Sequence, residues 1–404
     1  MMKNHRLSNI AGAVVIALGL STSAMADSTS SSIRGNILTS SGNVVSDATI
    51  TIVHEPSGTR KTLSVNESGS FIAKGLRVGG PYTVTIDSDI YSDKKLENIY
   101  ITLGDVLRIN EVLEDENVER ITVTGSAIGY DATGSRSSWG DEDISRAPSF
   151  NRDLKDIVRN NPLAVVDSSG NLSVGGSNPK FNSITVDGIG QNDDFGLNSG
   201  GYATQRSPIS LDAIEQISID TTPFTAKVGG FSGGVVNAVT KSGTNEVHGS
   251  FFYEFKNDDL SGTPENKRAD EDPRFNPDAA VENFATGKER TFGFNVGGPI
   301  LEDKLFYFVS YEDFKKETPV LYGIGSGANQ SDITQGEIDE FFSILNNTYN
   351  LTDSIAGDPE ETDEKILVKL DWNINEYHRA DFTYQYQDNA DALKTAHRAE
   401  ILRR

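Results

Sequence analysis

The sequence predicts a mainly β protein: an immunoglobulin-like β-sandwich, then an α+β domain, then the first strands of an incomplete antiparallel transmembrane β-barrel. Three observations carry this. Short β segments recur between turn residues from Ile33 to about Leu113. A glycine-punctuated stretch with one helix-period segment follows, over 127–245. From Val247 onward, runs of about ten residues alternate apolar with polar side chains, as strands with one face to lipid do.

The chain has 404 residues, 24% charged and 36% hydrophobic, which leaves room for roughly two or three folded domains. No run of about 20 apolar residues lies beyond the N-terminus, so it is not a helical membrane protein. Its net charge is −23 and no basic stripe exists, which argues against nucleic acid as a partner. There is no cysteine, which excludes disulfides and thiolate zinc. The histidines (His5, His54, His248, His378 and His397) are scattered without metal-ligand spacing. No cofactor is expected.

Residues 1–26 read as a secretory signal peptide. Lys3 and Arg6 precede an apolar run from Ile10 to Leu20, and the segment ends in Ala24-Met25-Ala26, with cleavage expected after Ala26. The run is too short to span a bilayer as a helix.

Strands are predicted at Ile33–Leu38, Ala48–His54, Lys61–Val65, Ser70–Ala73, Tyr82–Ile86 and Leu107–Leu113, with turns at Ser41–Asn43, Pro56–Gly58, Glu67–Gly69 and Gly79–Pro81. Such spacing suggests a small sandwich over 33–114. Arg34-Gly35-Asn36-Ile37, Asp47–Ile50, Ser68–Phe71 and Gly79–Val84 resemble the carboxypeptidase regulatory-like domain. That resemblance implies no peptidase chemistry. It leaves open a passive spacer or a carbohydrate-binding module.

An acidic linker, Glu114–Glu119, leads to Arg120-Ile121-Thr122-Val123-Thr124-Gly125-Ser126. A lone strand-like segment between polar stretches has no sheet of its own, and suits pairing by strand addition. Residues 119–126 also resemble the TonB box of TonB-dependent outer-membrane receptors. The resemblance implies that Ile121, Thr122, Val123, Thr124 and Gly125 contact TonB.

In 127–245, Asn151–Asn160 reads as a short helix, with Leu154, Ile157 and Val158 on one face and Pro162 ending it. Ile184–Ile189 reads as strand and turn around Asp187-Gly188, and Ile214–Ile219 as a strand after a helical turn at Ser210–Ala213. Gly229, Gly230, Gly233 and Gly234 require unusual backbone angles or very close packing. They do not form a phosphate loop, since no G-K-[ST] follows. Asp187, Asn192, Asp193 and Asp194 suggest a turn rather than a calcium loop, for their spacing is not that of an EF-hand. The helix, Val186-Asp187-Gly188, Ile214–Ile217 and Gly233–Thr244 resemble, in order, the plug domain of TonB-dependent receptors. The combination with a regulatory-like sandwich is similar to Oar-like members of that family.

Over 246–390 about five barrel strands are predicted. Val247, Gly249, Phe251, Tyr253 and Phe255 form one outward row. Phe292, Phe294 and Val296 form the next, followed by Ile366, Val368, Leu370 and Trp372, then Ala380, Phe382, Tyr384 and Tyr386. In Lys304–Phe314, Phe306 and Phe308 fall on the inward register. Connections alternate long (257–287 and 317–364) and short (299–304 and 375–377), as external loops and periplasmic turns do. The 257–283 loop holds eight Asp/Glu against three Lys/Arg. Five strands cannot close a barrel, and the charged tail 391–404 is no closing strand, so a truncated or frameshifted product is expected.

The resemblance implies a function without catalysis. An unidentified extracellular substrate binds outside, and TonB with its inner-membrane energising complex captures Ile121–Gly125 and rearranges the plug. The barrel sits in outer-membrane lipid, with the sandwich facing the periplasm. The alternative is a surface-binding adhesin anchored by the barrel. No nucleophile elbow or H-E-x-x-H supports an enzyme.

Overall fold

The computed structural model describes residues 29–115, 128–131, 135–149, 151–167, 169–193, 195, 198, 200–222, 231–257, 260, 287–318, 323–324, 330–331, 334–351, 359–376 and 378–391. The signal segment, Ile121–Gly125, Gly229, Gly230, most of the acidic loop and residues 392–404 lie outside these. The chain divides into two compact units, one of Met1–Gly249, Asn295–Ser310 and Leu367–Tyr384, the other of Ser250–Phe294, Tyr311–Ile366 and Gln385–Arg404.

In the first unit, seven strands build the sandwich: β1 (Ser30–Thr39), β2 (Thr49–His54), β3 (Thr59–Ser64), β4 (Ser70–Arg77), β5 (Gly79–Asp87), β6 (Lys94–Ile101) and β7 (Val106–Leu113). Alternation puts Ile33, Ile37, Ile50, Ile52, Val84, Ile86, Leu107 and Ile109 into one core, where each contributes roughly 1.5–3 kcal/mol. Strand β6 was not expected. Its apolar residues Leu96 and Ile99 are three apart, because Asn98 takes a positive φ of 58° and the register with β5 shifts there. One sheet runs β3-β2-β5-β6, the other β4-β1-β7-β8. The last strand, β8 (Ile128–Asp131), comes from the start of the segment that the sequence reading gives to the next domain. It pairs antiparallel with β7, Ile128 opposite Ile109 and Asp131 opposite Val106.

The α+β domain has a sheet in the order β13-β12-β15-β14-β9. Its strands are β9 (Arg136–Gly140), β12 (Ser183–Val186), β13 (Ile189–Gly190), β14 (Ile214–Asp220) and β15 (Val235–Thr240); β10 (Ala164–Val166) and β11 (Leu172–Val174) form a separate hairpin. Helix α1 (Asp141–Arg146) was not foreseen. The expected Asn151–Asn160 helix is shorter, α2 (Leu154–Val158). Arg152 has φ of 52° and so cannot belong to it, and the Asp153 carboxylate caps the first turn by accepting from Lys155 N at 2.9 Å. Leu154, Ile157 and Val158 pack with Ile184, Ile217, Ile219 and Val236 in one core. That core also takes in Phe308 and Leu367.

Five long strands follow: β16 (His248–Lys256), β17 (Lys288–Leu301), β18 (Leu305–Glu317), β21 (Glu360–Asn375) and β22 (His378–Asp391), bonded in that order. Neighbours β17 and β18, and β21 and β22, are joined by too few residues for a crossover, so each pair is antiparallel. This is a partial barrel: among the described residues, β16 and β22 have no further strand neighbour. The last four strands span 13 to 16 residues, more than the ten or so expected, because the hydrogen-bonded ladder continues into charged ends such as Glu360–Lys365. Outward Phe251, Tyr253, Phe255, Trp372, Phe382 and Tyr384 are exposed, and inward Phe306, Phe308, Lys369 and Asp371 are buried. In the second unit, Tyr311 packs between Phe292 and Phe294 and donates to Glu364 at 3.1 Å. Buried Lys365 bonds Glu312 at 2.6 Å. That unit also holds β19 (Gly323–Ile324), β20 (Gln330–Ser331) and an exposed helix, α3 (Gln335–Tyr349). The helix opens on a capping box between Thr334 and Glu337.

Candidate functional site

The site is the group of contacts around the Asp187-Gly188 turn, within the first unit. Asp187 and Gly188 join β12 to β13 with φ of 47° and 78°. Two positive φ values in a two-residue hairpin are a type I′ turn, for which Asp-Gly is a favoured pair. The turn points the Asp187 carboxylate at the end of β15. It accepts from Thr240 N at 2.9 Å and from Thr240 Oγ1 at 2.6 Å. From strand β21, Lys369 Nζ donates to Thr240 Oγ1 at 3.0 Å and Thr240 O at 3.2 Å, and lies 3.8 Å from Asp187 Oδ2. The Asp187 and Lys369 side chains are both 7% exposed. A low-dielectric setting strengthens such charge-assisted bonds and makes it costly to remove one partner while the other stays buried.

Gly233 and Gly234 serve close packing, not backbone angle. A Cβ at Gly233 would overlap Asn182 Oδ1, and one at Gly234 would sit 2.5 Å from Val174 Cγ1. The space lets Gly234 N donate to Asn182 Oδ1 at 3.0 Å, while Asn182 Nδ2 reaches Leu172 O at 2.7 Å. Gly243 performs the same service further on, where a Cβ would strike Tyr307 O of β18.

The sandwich joins the same unit through Arg136. Its two terminal nitrogens bond Asp105 of the β6–β7 turn and Asp220 of β14, both at 3.0 Å. Gly104 leaves room for that guanidinium, since a Cβ there would lie 2.6 Å from Nη1. Val78, Leu103 and Val239 close a small apolar cluster beside it. A cavity of about 210 Å³ is lined by His54, Arg77, Asp187, Glu215, Lys369 and Asp381 among others. Burial pushes Glu215 above the usual carboxylate range, and Asp141 adds to this while Lys241 opposes it. Burial also pushes His54 down to about 3, with Arg77 and then Arg379 reinforcing.

Of the residues singled out in the sequence, Asp187 and Gly188 lie in the turn, and Gly233 and Gly234 in the packing point beside Asn182. Ile121–Gly125, Gly229 and Gly230 lie outside the described residues. Asn192 and Asp193 are occupied in loop bonds: Asn192 Oδ1 accepts from Ile184 N, and Asp193 from Phe195 N and Asn198 N. Among the described residues, no group of three or more His, Asp or Glu could hold a metal ion. Thr240, Lys369 and Arg136 were missed. Lys369 was readable as an inward residue of an alternating strand, but its partner was not.

Three families match this chain. The Carboxypeptidase regulatory-like domain covers residues 32–114, the TonB-dependent Receptor Plug Domain 129–236, and the Outer membrane beta barrel domain 239–324. Among curated relatives, the TonB-dependent transporter Oar of Myxococcus xanthus is 28% identical over 311 residues, 74% of this chain and 28% of the relative. The "Probable TonB-dependent siderophore receptor PirA" of Acinetobacter baumannii is 32% identical over 248 residues, 58% of this chain and 27% of the relative. This chain thus spans under a third of either relative's length. Both are described as receptors or transporters, not enzymes. Similar solved structures include the siderophore receptor PirA of Acinetobacter baumannii, at 23% identity and a TM-score of 0.40 over 63% of this chain and 32% of that one. The outer membrane transporter YddB of Escherichia coli has 15% identity and a TM-score of 0.45 over 63% and 33%.

Proposed function

Because the chain belongs to the TonB-dependent outer-membrane receptor family, we propose that it takes part in uptake of an extracellular substrate across the outer membrane, with TonB supplying the pull. TonB captures Ile121–Gly125 by strand addition, and tension drawn from the inner-membrane proton gradient rearranges the plug. The observation that supports this best is the polar tie between plug and barrel strand. Asp187, Thr240 and Lys369 hold the plug by hydrogen bonds that water can replace, so the plug can be both seated and movable.

Capture is tested in the cysteine-free background of this chain. A single cysteine at Thr122 should cross-link to a single cysteine on the receptor-binding strand of TonB. Val123→Pro, which removes a ladder N–H, should suppress the cross-link. Deleting 121–125 should abolish uptake and leave surface binding intact. Accumulation that survives the deletion would overturn the transport reading in favour of a surface-binding protein.

A further inference from the structure

The corner of the sandwich at Pro56–Thr59 is built against the ends of the barrel strands. Gly58 has φ of 60°, and any Cβ there would overlap Asp303 Oδ1 in the β17–β18 turn. Asn245 N donates to Pro56 O at 2.8 Å, and Asn245 Nδ2 to Asp303 Oδ1 at 2.8 Å. Asn373 Nδ2 on β21 donates to Thr59 Oγ1 at 2.8 Å and to Asp303 O at 3.1 Å. Beside this corner, Arg77 at the end of β4 reaches Asp371 of β21 at 3.4 Å and lies over the Phe306 ring of β18, 5.7 Å from its centroid.

Asp303, Asn373 and Asp371 lie at or near the short-turn ends of the strands, the ends that face the periplasm in an outer-membrane barrel. Arg77 and Asp371 are buried, and Asp371 is on the inward register of β21. The sandwich is therefore seated at the periplasmic end of the strands, with one guanidinium inserted against their inner face. Apart from the Phe306 ring the contact is made by polar groups, and Arg77 Nε and Nη2 have no hydrogen-bond partner among the described residues. The desolvation cost of burying that charge is thus only partly offset, and leaving the site rehydrates both ions. A docked state with that balance is held, yet is cheap to release.

We infer that the sandwich is a periplasmic cap: it docks through Gly58, Thr59 and Arg77 onto Asp303, Asn373 and Asp371, and it must leave before substrate can pass. Docking stands on these contacts alone, whereas release rests on the uptake reading above. The test uses the membrane-embedded receptor, with cysteines at Arg60 and Glu376, which line one cavity beside the contact without belonging to it, and a short bismaleimide as probe. The cross-link should form readily in cells treated with a protonophore. Gly58→Asn keeps a residue that tolerates positive φ but collides with Asp303, and it should lower the yield about tenfold, within the range of ordinary conformational coupling. Energised cells should show a drop of similar size. No cross-link in the resting receptor would overturn docking. TonB capture at Thr122, measured in parallel, separates the remaining cases. Capture with an unchanged cross-link would overturn release alone, whereas absent capture would overturn release together with the uptake reading.

Discussion

Lys369 and Asp187 face one another 3.8 Å apart, with the Thr240 hydroxyl bonded to both. One residue lies on an inward strand position and the other on a plug turn, so this triad is the plug's charged seat. Asp187→Asn retains a residue that tolerates positive φ and removes the charge. It should weaken the plug by roughly 1–3 kcal/mol. Combined with Lys369→Met it should cost less than the sum, because the two changes remove one network. Hydrogen exchange at the Thr240 amide, which Asp187 accepts, reads this out.

Gly234→Ala should be more damaging than its size suggests. The new methyl would meet the Val174 side chain, and overpacking of this kind costs about 1–3 kcal/mol. Val174→Ala in the same chain should restore most of the loss in urea denaturation. If it does not, the glycine is needed for some reason other than space.

Arg136→Ala would leave Asp105 and Asp220 facing each other without a cation. Removing one partner of a largely buried charge network costs about 3–5 kcal/mol, discounted here for its part-exposed side chains. Arg136→Lys should recover little, since one ammonium does not present the fork that spans both carboxylates. Limited proteolysis between the sandwich and β9 would register the loosened joint.

The sandwich should also lose stability in acid through His54. Its folded pKa of about 3 lies below the ordinary 6.5, since burial and the neighbouring Arg77 and Arg379 oppose its charge. The unfolded chain therefore binds the extra proton first. His54 contributes its full share above pH 6.5, and that share falls as pH drops from there towards 3, by at most about 1.4 kcal/mol per pH unit. His54→Gln can keep a bond to Ser57, which His54 Nδ1 meets at 2.7 Å, and should flatten this part of the profile. Urea midpoints of the two chains at pH 7 and pH 4 give the comparison.

Much of this architecture was legible because it rests on local period. Outward Phe251, Tyr253 and Trp372 and inward Lys369 and Asp371 follow from alternation alone. Asp187-Gly188 was legible as a turn because few other pairs accept two positive φ values. Asn98 hid β6 by shifting the register, and Arg152 trimmed the helix start by a backbone angle that no periodicity reports. The partners of Asp187, Arg77 and Arg136 are 182, 294 and 84 positions away or nearer (369 − 187, 371 − 77 and 220 − 136). No pattern in one sequence encodes pairing at that range. Gly58 reads as an ordinary turn glycine and Gly104 stands out by no pattern, and their use as space for Asp303 and Arg136 emerges only once the chain is folded.

The plug's apolar cluster is completed by Phe308 and Leu367, which belong to strands β18 and β21. Residues 154–239 alone therefore do not contain all the side chains of their own interior. The plug should therefore reach its final packing only when those two strands lie beside it. Plug folding is expected to be coupled to strand assembly, so a defect in strand insertion should surface as a plug that remains open to proteases.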